Sequence, residues 1–349
     1  MDRRRIRIGT FYAVLIPVLL ASVIAAIAIG STTVDWHIIL KVLAVKLLPH
    51  GWASYQVRES DSVVVWLIRV PRVVVAGLVG MALASAGALM QGLFRNPLAE
   101  PGLVGSGAGA VLGAVVAFVM GWTTSSVISL PLAAMIGAFA ALVIVYVMAT
   151  RGGETPVATL LLAGIAVTSL LTAISSLLLS LNIVNWQVAQ EIVFWMMGGL
   201  DARSWSHVWL CGPFILLGIA ASLFQTRDLD LIQQGEDTAA SFGVDVESSK
   251  RLLALTAAIL TGAAVAVAGM IAFVGLVVPH AARILLGPSN RSLIPASALA
   301  GATFLILCDL TARTIHPPVE IRLGVVTSLI GGPLFIALLI RHPWGASAS

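Results

Sequence analysis

Charge is what this sequence has least of. Of its 349 residues only 10% are Asp, Glu, Lys or Arg, against roughly 25% in soluble domains. Hydrophobic residues make up 59%, and the mean hydropathy is +1.01. An ordinary soluble domain is excluded, and an integral membrane protein remains. Each crossing takes about 20 apolar residues, which leaves room for about nine or ten crossings and none for a soluble catalytic domain. Lysine is scarcer still: Lys41, Lys46 and Lys250 are the whole set. None follows a glycine, so the Gly-x-x-x-x-Gly-Lys-Ser/Thr loop that cradles phosphates is absent. The two cysteines, Cys211 and Cys308, lie inside apolar runs and read as packed thiols, implying neither a disulfide framework nor a metal site. Ionisable residues inside apolar runs, the mark of proton or sodium coupling, are almost missing; Asp309 and His280 sit near run ends. An ion-coupled secondary carrier is therefore poorly supported. A membrane enzyme is less so, for want of any clustered nucleophile, base or metal ligands. The formal charge of +4 comes from basic residues scattered through loops, which read as topology signals and not as a nucleic-acid patch.

What is present is a succession of apolar runs. Spans are expected at 11–30, 73–93, 104–121, 129–149, 157–181, 204–224, 252–271, 273–287, 293–312 and 324–340. The eighth is short and interrupted by Pro279. The first follows Arg3, Arg4, Arg5 and Arg7. It is too long for a signal-peptide core and resembles a full span with the N-terminus held inside. Between the first two spans, from Thr32 to Arg72, Trp36, Ile39, Leu40, Leu43 and Leu47 recur at helical spacing with Lys41 and Lys46 among them. That pattern fits a helix at the membrane surface; an ordinary interfacial connector is the plainer reading.

Two stretches 182 residues apart share one pattern. Gly80, Ala82, Ala84, Ala86, Gly87, Pro97 and Gly105 recur as Gly262, Ala264, Ala266, Ala268, Gly269, Pro279 and Gly287. Small residues let membrane helices approach closely. The proline and final glycine give each copy a helix followed by a break, at Pro97 and at Pro279. The copies fall on spans two and seven, an odd separation, so the halves run in opposite directions. Inverted repeats with paired interruptions point to a transport pathway between the halves. The whole chain, 1–349, is read as one transmembrane domain, with repeat halves at about 60–181 and 250–340 and a connecting segment at 225–250.

Within that segment Gly235-Glu-Asp-Thr-Ala-Ala-Ser-Phe-Gly243-Val-Asp-Val246 reads as a short helix with a small packing face, carrying Thr238, Ala239, Ala240 and Phe242 and closed by Gly243 in a left-handed cap. Such a helix would dock into a groove on a soluble partner; a solvated loop is the alternative.

Several motifs together resemble the iron-chelate and cobalamin permease family of ABC importers, the FecCD type. They are Arg69-Val-Pro-Arg72, the run from Gly87 to Gly105, Phe194-Trp-Met-Met-Gly-Gly199, the Gly235-Glu-Asp phrase, Phe273-Val-Gly-Leu-Val-Val-Pro-His280, Leu299-Ala-Gly301 with Asp309, and Gly324-Val-Val-Thr-Ser-Leu-Ile-Gly-Gly-Pro333. The match runs from about residue 60 to 340, in the family's order. The resemblance implies an all-α membrane fold of ten helices and a homodimer with the path on its twofold axis. It implies two ATPase subunits that carry ATP and Mg, and a periplasmic or lipid-anchored binding protein. No cofactor is expected on this chain, and residence in a bacterial inner membrane is. The segment of Gly235, Glu236, Asp237, Ala240 and Gly243 aligns with the family's coupling helices. Arg69, Arg72 and Arg313 match its outward-facing arginines, which pair with glutamates of the binding protein; snorkelling at the interface is their plainer role. The region of Thr155, Val157, Ala158 and Thr159 matches the cytoplasmic gate. Val157-Ala158 replaces a polar Thr/Ser pair of some members, so closure by dewetting is the alternative there. His280 and His316 are not read as metal ligands. The expected cargo is a large iron chelate, haem or a ferric siderophore, with cobalamin as the alternative.

Overall fold

The computed structural model describes residues 3–30, 34–47, 55, 57–182 and 184–341. Of the segment that begins at Thr32, residues 32, 33, 48–54 and 56 lie outside the described residues. The architecture is helical throughout. In order come α1 (Arg3–Ala28), α2 (Trp36–Leu47), α3 (Glu59–Ser62), a π-helical turn at Val63–Arg69, α4 (Val70–Leu93), α5 (Ser106–Val119), α6 (Ser129–Ala149), α7 (Val157–Leu181) and α8 (Trp186–Met196). They are followed by α9 (Trp205–Phe224), α10 (Thr226–Gln234), α11 (Glu236–Ser241), α12 (Val246–Ala268), α13 (Val274–Leu286), α14 (Asn290–Thr314) and α15 (Leu323–Arg341). Among the described residues seven helical stretches are long and apolar enough to cross a membrane, and α5, α13 and α15 are shorter apolar helices. Together they coincide with the ten expected spans.

The helices α4, α12 and α14 are buried over most of their length, whereas α1, α6, α7 and α9 turn broad apolar faces outward. Within this trio, α4 and α14 pack closely because glycine meets glycine. A Cβ on Gly80 would overlap the carbonyl of Gly301, so α4 and α14 touch through their backbones. In the second copy Gly262, the counterpart of Gly80, faces Ala138 of α6. The repeat therefore has a structural meaning: α4 packs on α14 as α12 packs on α6, while α5 lies on α6 and α13 on α14. In lipid such contact replaces the hydrophobic drive that water would give.

The two copies differ at the break. Beyond α4 the chain leaves the helix at Phe94 and Pro97 sits in the loop, as expected. The second break is not at Pro279, which lies inside α13; it comes earlier, between Gly269 and Phe273, both with φ of 68°. Proline removes the N–H that would bond the carbonyl four residues back, here that of Gly275. The Gln91 side chain of α4 donates to that oxygen at 3.3 Å and to Leu276 O at 3.0 Å, so the helix continues past the proline. The terminal glycines of the pattern, Gly105 and Gly287, are both left-handed, with φ of 79° and 89°.

The segment expected to be helical is α2, but its apolar stripe divides. Ile39 is buried, while Trp36, Leu40 and Leu47 are exposed.

Candidate transport pathway and the charged ends of the bundle

Three interruptions of helix converge on one place. Gly199 donates its N–H to Ala268 O at the end of α12 (2.9 Å), and Leu323 and Gly324 at the start of α15 donate to Gly198 O (3.0 Å) and Met197 O (3.2 Å). A Cβ on Gly198, Gly269 or Gly324 would strike a neighbouring backbone carbonyl, which explains why the Met-Met-Gly-Gly phrase and the start of the last span carry glycine. Phe273 holds a left-handed backbone that costs of order 1–3 kcal/mol for a non-glycine residue. Its ring lies against Gly331, where a side chain would collide with it.

Around this junction opens a cavity of about 540 Å³. Its wall is mostly apolar: Leu83, Met196, Met197, Met270, Ile271 and Val325 contribute, with Glu100, Thr261 and Ser328 as sparse polar points.

One end of the bundle carries a buried charge network. Arg72 donates to both oxygens of Asp309 (2.9–3.2 Å) and to Glu320 (2.8 and 3.1 Å). Asp201 lies 3.8 Å from Arg72 and pairs with Arg322, whose guanidinium stacks 4.5 Å over the Phe194 ring. Arg313 reaches Asp309 at 3.1 Å. The Asp309 side chain is 1% exposed and that of Arg72 is 12%. Burial and a hydrogen bond to Glu320 push the Asp201 carboxyl up. Burial acts the same way on Glu320, but bonding to Arg72 outweighs it and holds that group below its usual range.

The outward-facing arginines of the sequence reading are placed differently here. Arg69 and Arg313 are buried, 5% and 7% exposed, and both serve α1. Arg69 donates to Ile27 O and Ala28 O at 2.8 Å. Arg313 donates to Ala26 O at 3.0 Å and Ile29 O at 3.2 Å. A helix ends with four unpaired carbonyls and a partial negative charge, and these two cations answer both. Arg72 is the member of the three closest to the surface, with Arg322 beside it.

The other end of α12 carries a second network. Lys250, its side chain 3% exposed, contacts Glu236 at 3.0 Å, Glu247, and Thr155 O at 2.9 Å. Glu247 also accepts the Thr155 N–H at 2.9 Å. From Lys250 to Val267, whose carbonyl accepts from Arg203 near the first network, α12 rises about 25 Å at 1.5 Å per residue, close to the hydrocarbon thickness of about 30 Å. The networks thus occupy opposite faces of a membrane-sized slab.

At this second end the short helix expected after Gly235 is α11, closed by Gly243 at φ 80°. Gly243 and Val244 donate back to Ala240 O and Ala239 O at 2.9 and 3.1 Å. Asp237, Ala240, Phe242 and Gly243 are exposed, and Glu236 is half-buried. Asp245 caps α12, and hydrogen bonds from Ser248 hold its carboxyl below the usual range. In the region expected to form a gate, Thr155 is buried and fixed by Tyr146, Thr150, Glu247 and Lys250. Val157, Ala158 and Thr159, in the first turn of α7, remain accessible.

Sequence reading missed α8, the acidic partners of the arginines, and Lys250. A short apolar helix like α8, ending in the Met-Met-Gly-Gly phrase, is hidden by its length. Asp309–Arg313 and Glu247–Lys250 stand at helical i,i+4 and i,i+3 spacing, but the pairs that join separate helices lie as far apart as 248 positions, and no local pattern announces those.

Against known proteins, the FecCD transport family matches residues 18–341. The chain is 43% identical over 288 residues to the cobalamin import system permease protein BtuC of Halobacterium salinarum, covering 82% of this chain and 76% of that one. It is 42% identical over 282 residues to the hemin transport system permease protein HmuU of Yersinia pestis, covering 80% and 84%. A similarity of 39% over 293 residues, 83% and 75% of the two chains, links it to the iron(3+)-hydroxamate import system permease protein FhuB of Bacillus subtilis. A solved structure described as an inward-facing metal-chelate type ABC transporter superposes with a TM-score of 0.82 at 28% identity, over 96% of this chain and 99% of that one.

Proposed function

This chain belongs to the FecCD transport family, and we propose that it moves an iron chelate, haem or a ferric siderophore, across a bacterial inner membrane. It is a multi-pass permease subunit of an ABC importer; ATP hydrolysis lies on a separate subunit, and a substrate-binding protein supplies the cargo. In the proposed arrangement two copies form a homodimer around a central path. The N-terminus and the Lys250 end are cytoplasmic, and the Arg72 end faces outward. A periplasmic or lipid-anchored binding protein docks on the face built on Arg69, Arg72 and Arg313. Opposed charges at such a surface speed and orient encounter more than they add affinity. The segment from Gly235 through Glu236, Asp237 and Ala240 to Gly243 meets the ATPase, and Val157-Ala158 closes the path at the cytoplasmic side.

The observation that carries the cargo reading is the cavity where the helix breaks meet. Its volume of about 540 Å³ lies within the roughly 300–1,000 Å³ of small-molecule pockets. Its methionine-rich wall suits a bulky, largely apolar ligand that must be held loosely enough to leave, since methionine re-packs around varied shapes. Cobalamin is the second reading, favoured by the 43% identity to a permease named for it. Competition decides between them. Uptake of iron-labelled haem into vesicles holding the assembled transporter should fall when unlabelled haem or a ferric hydroxamate is delivered by the binding protein. Inhibition by cobalamin alone would replace the iron-chelate reading with the second one.

A further inference from the structure

Lys250 is a buried ammonium with three donors, and its three oxygen partners belong to three different elements: Glu236 opens α11, Glu247 lies in α12, and the carbonyl of Thr155 ends the connection into α7. Burying a cation is costly unless each donor is bonded and the charge is matched, and here both conditions hold. The backbone of Thr155 is held at both of its peptide groups, the N–H donating to Glu247 and the C=O accepting from Lys250. Pro156 follows, with φ of −61°. Its ring restricts that angle, so the orientation of the Thr155 peptide is carried directly into the first turn of α7. On the other side α11 is flanked by Gly235 at φ 142° and Gly243 at φ 80°, backbone conformations that favour glycine. Among these contacts the Glu236 arm is the weakest. That carboxylate is 40% exposed, and Glu247 would still balance Lys250 if Glu236 withdrew.

We propose that Lys250 is a positioning residue that links the coupling helix α11 to the start of α7, so that displacement of α11 by the ATPase is passed to Val157-Ala158. The link rests on the reading that the Gly235 to Val246 segment contacts the ATPase. It has the form of a two-state element: with Glu236 engaged, Lys250 and the Thr155 backbone follow α11, and with Glu236 released they stay with Glu247. A ligand can bias such an element only by as much as it prefers one state.

The test measures cargo uptake and ATP hydrolysis in the same vesicles, holding the assembled transporter with its ATPase and binding protein. Lys250→Met should lower cargo moved per ATP by about tenfold, within the usual range of coupling between sites, while the ATPase still co-purifies. Lys250→Arg, which keeps charge and donors, should restore the ratio; a role in packing alone would not show this split. An unchanged ratio in Lys250→Met overturns the proposal. Should that variant fail to accumulate, Glu236→Gln decides, because it alters only a half-exposed carboxylate: a reduced ratio supports the link and an unaltered one overturns it. Cross-linking from a cysteine at exposed Ser241 tests the underlying reading separately. A cross-link to the ATPase sustains that reading, and its absence in a coupled transporter places the contact elsewhere.

Discussion

The two charged ends of the bundle are built on opposite plans. At the Arg72 end, arginines outnumber acids, Asp309 is sealed inside, and the network ties α1, α4 and α14 together through helix-end carbonyls and paired carboxylates. At the Lys250 end one cation sits between two glutamates, and one of those belongs to a small helix standing largely in the open. Redundant, buried bonds make the first a rigid platform. The second has one breakable arm and makes a joint. In the proposed assembly, the difference teaches that a surface that receives a docking protein and a segment that is moved by one need different electrostatics.

Removing the centre of the platform should have the largest effect. Asp309→Ala leaves Arg72 and Arg313 buried without their shared acid and should cost about 3–5 kcal/mol, seen as loss of membrane accumulation or a large fall in thermal unfolding temperature. Arg69→Met comes next: the buried Ile27 carbonyl and the part-buried Ala28 carbonyl at the end of α1 lose this donor, at about 1–3 kcal/mol. If that variant instead keeps its unfolding temperature and loses only binding-protein docking, Arg69 is a docking residue and the platform assignment fails for it. At the joint, lengthening the Gly235 to Val246 segment should leave thermal unfolding almost unchanged and separate ATP hydrolysis from uptake; normal coupling would show that the ATPase binds elsewhere. The smallest stability effect is expected from Glu320→Gln, at the partly exposed rim, below about 1 kcal/mol. Its signature is in docking: freeing Arg72 should raise the association rate of the binding protein at low salt, as measured by stopped-flow.

Much of this was legible in the sequence, where the signal was local. The ten apolar runs mark the spans because hydrocarbon length demands them. Small residues at Gly80 and Gly262 mark the two close crossings, and Gly243 marks the end of α11. What escaped was tertiary. Pro279 reads as a break, but Gln91, 184 residues away from Gly275, satisfies a carbonyl that the proline leaves open, and the break shifts to Gly269. Arg69 and Arg313 read as outward-facing, yet the end of α1 claims them, because its carbonyls accept from both guanidinium groups. Lys250 drew attention only as a lysine without a phosphate loop. Its partner Thr155 lies 95 residues earlier.

The most direct test of the account is uptake of a ferric chelate or haem into liposomes carrying this chain with its ATPase and binding protein, comparing internal supply of ATP with an imposed proton or sodium gradient alone. Accumulation that requires ATP and all three components is the predicted result. Accumulation driven by the gradient, without ATP, would contradict it.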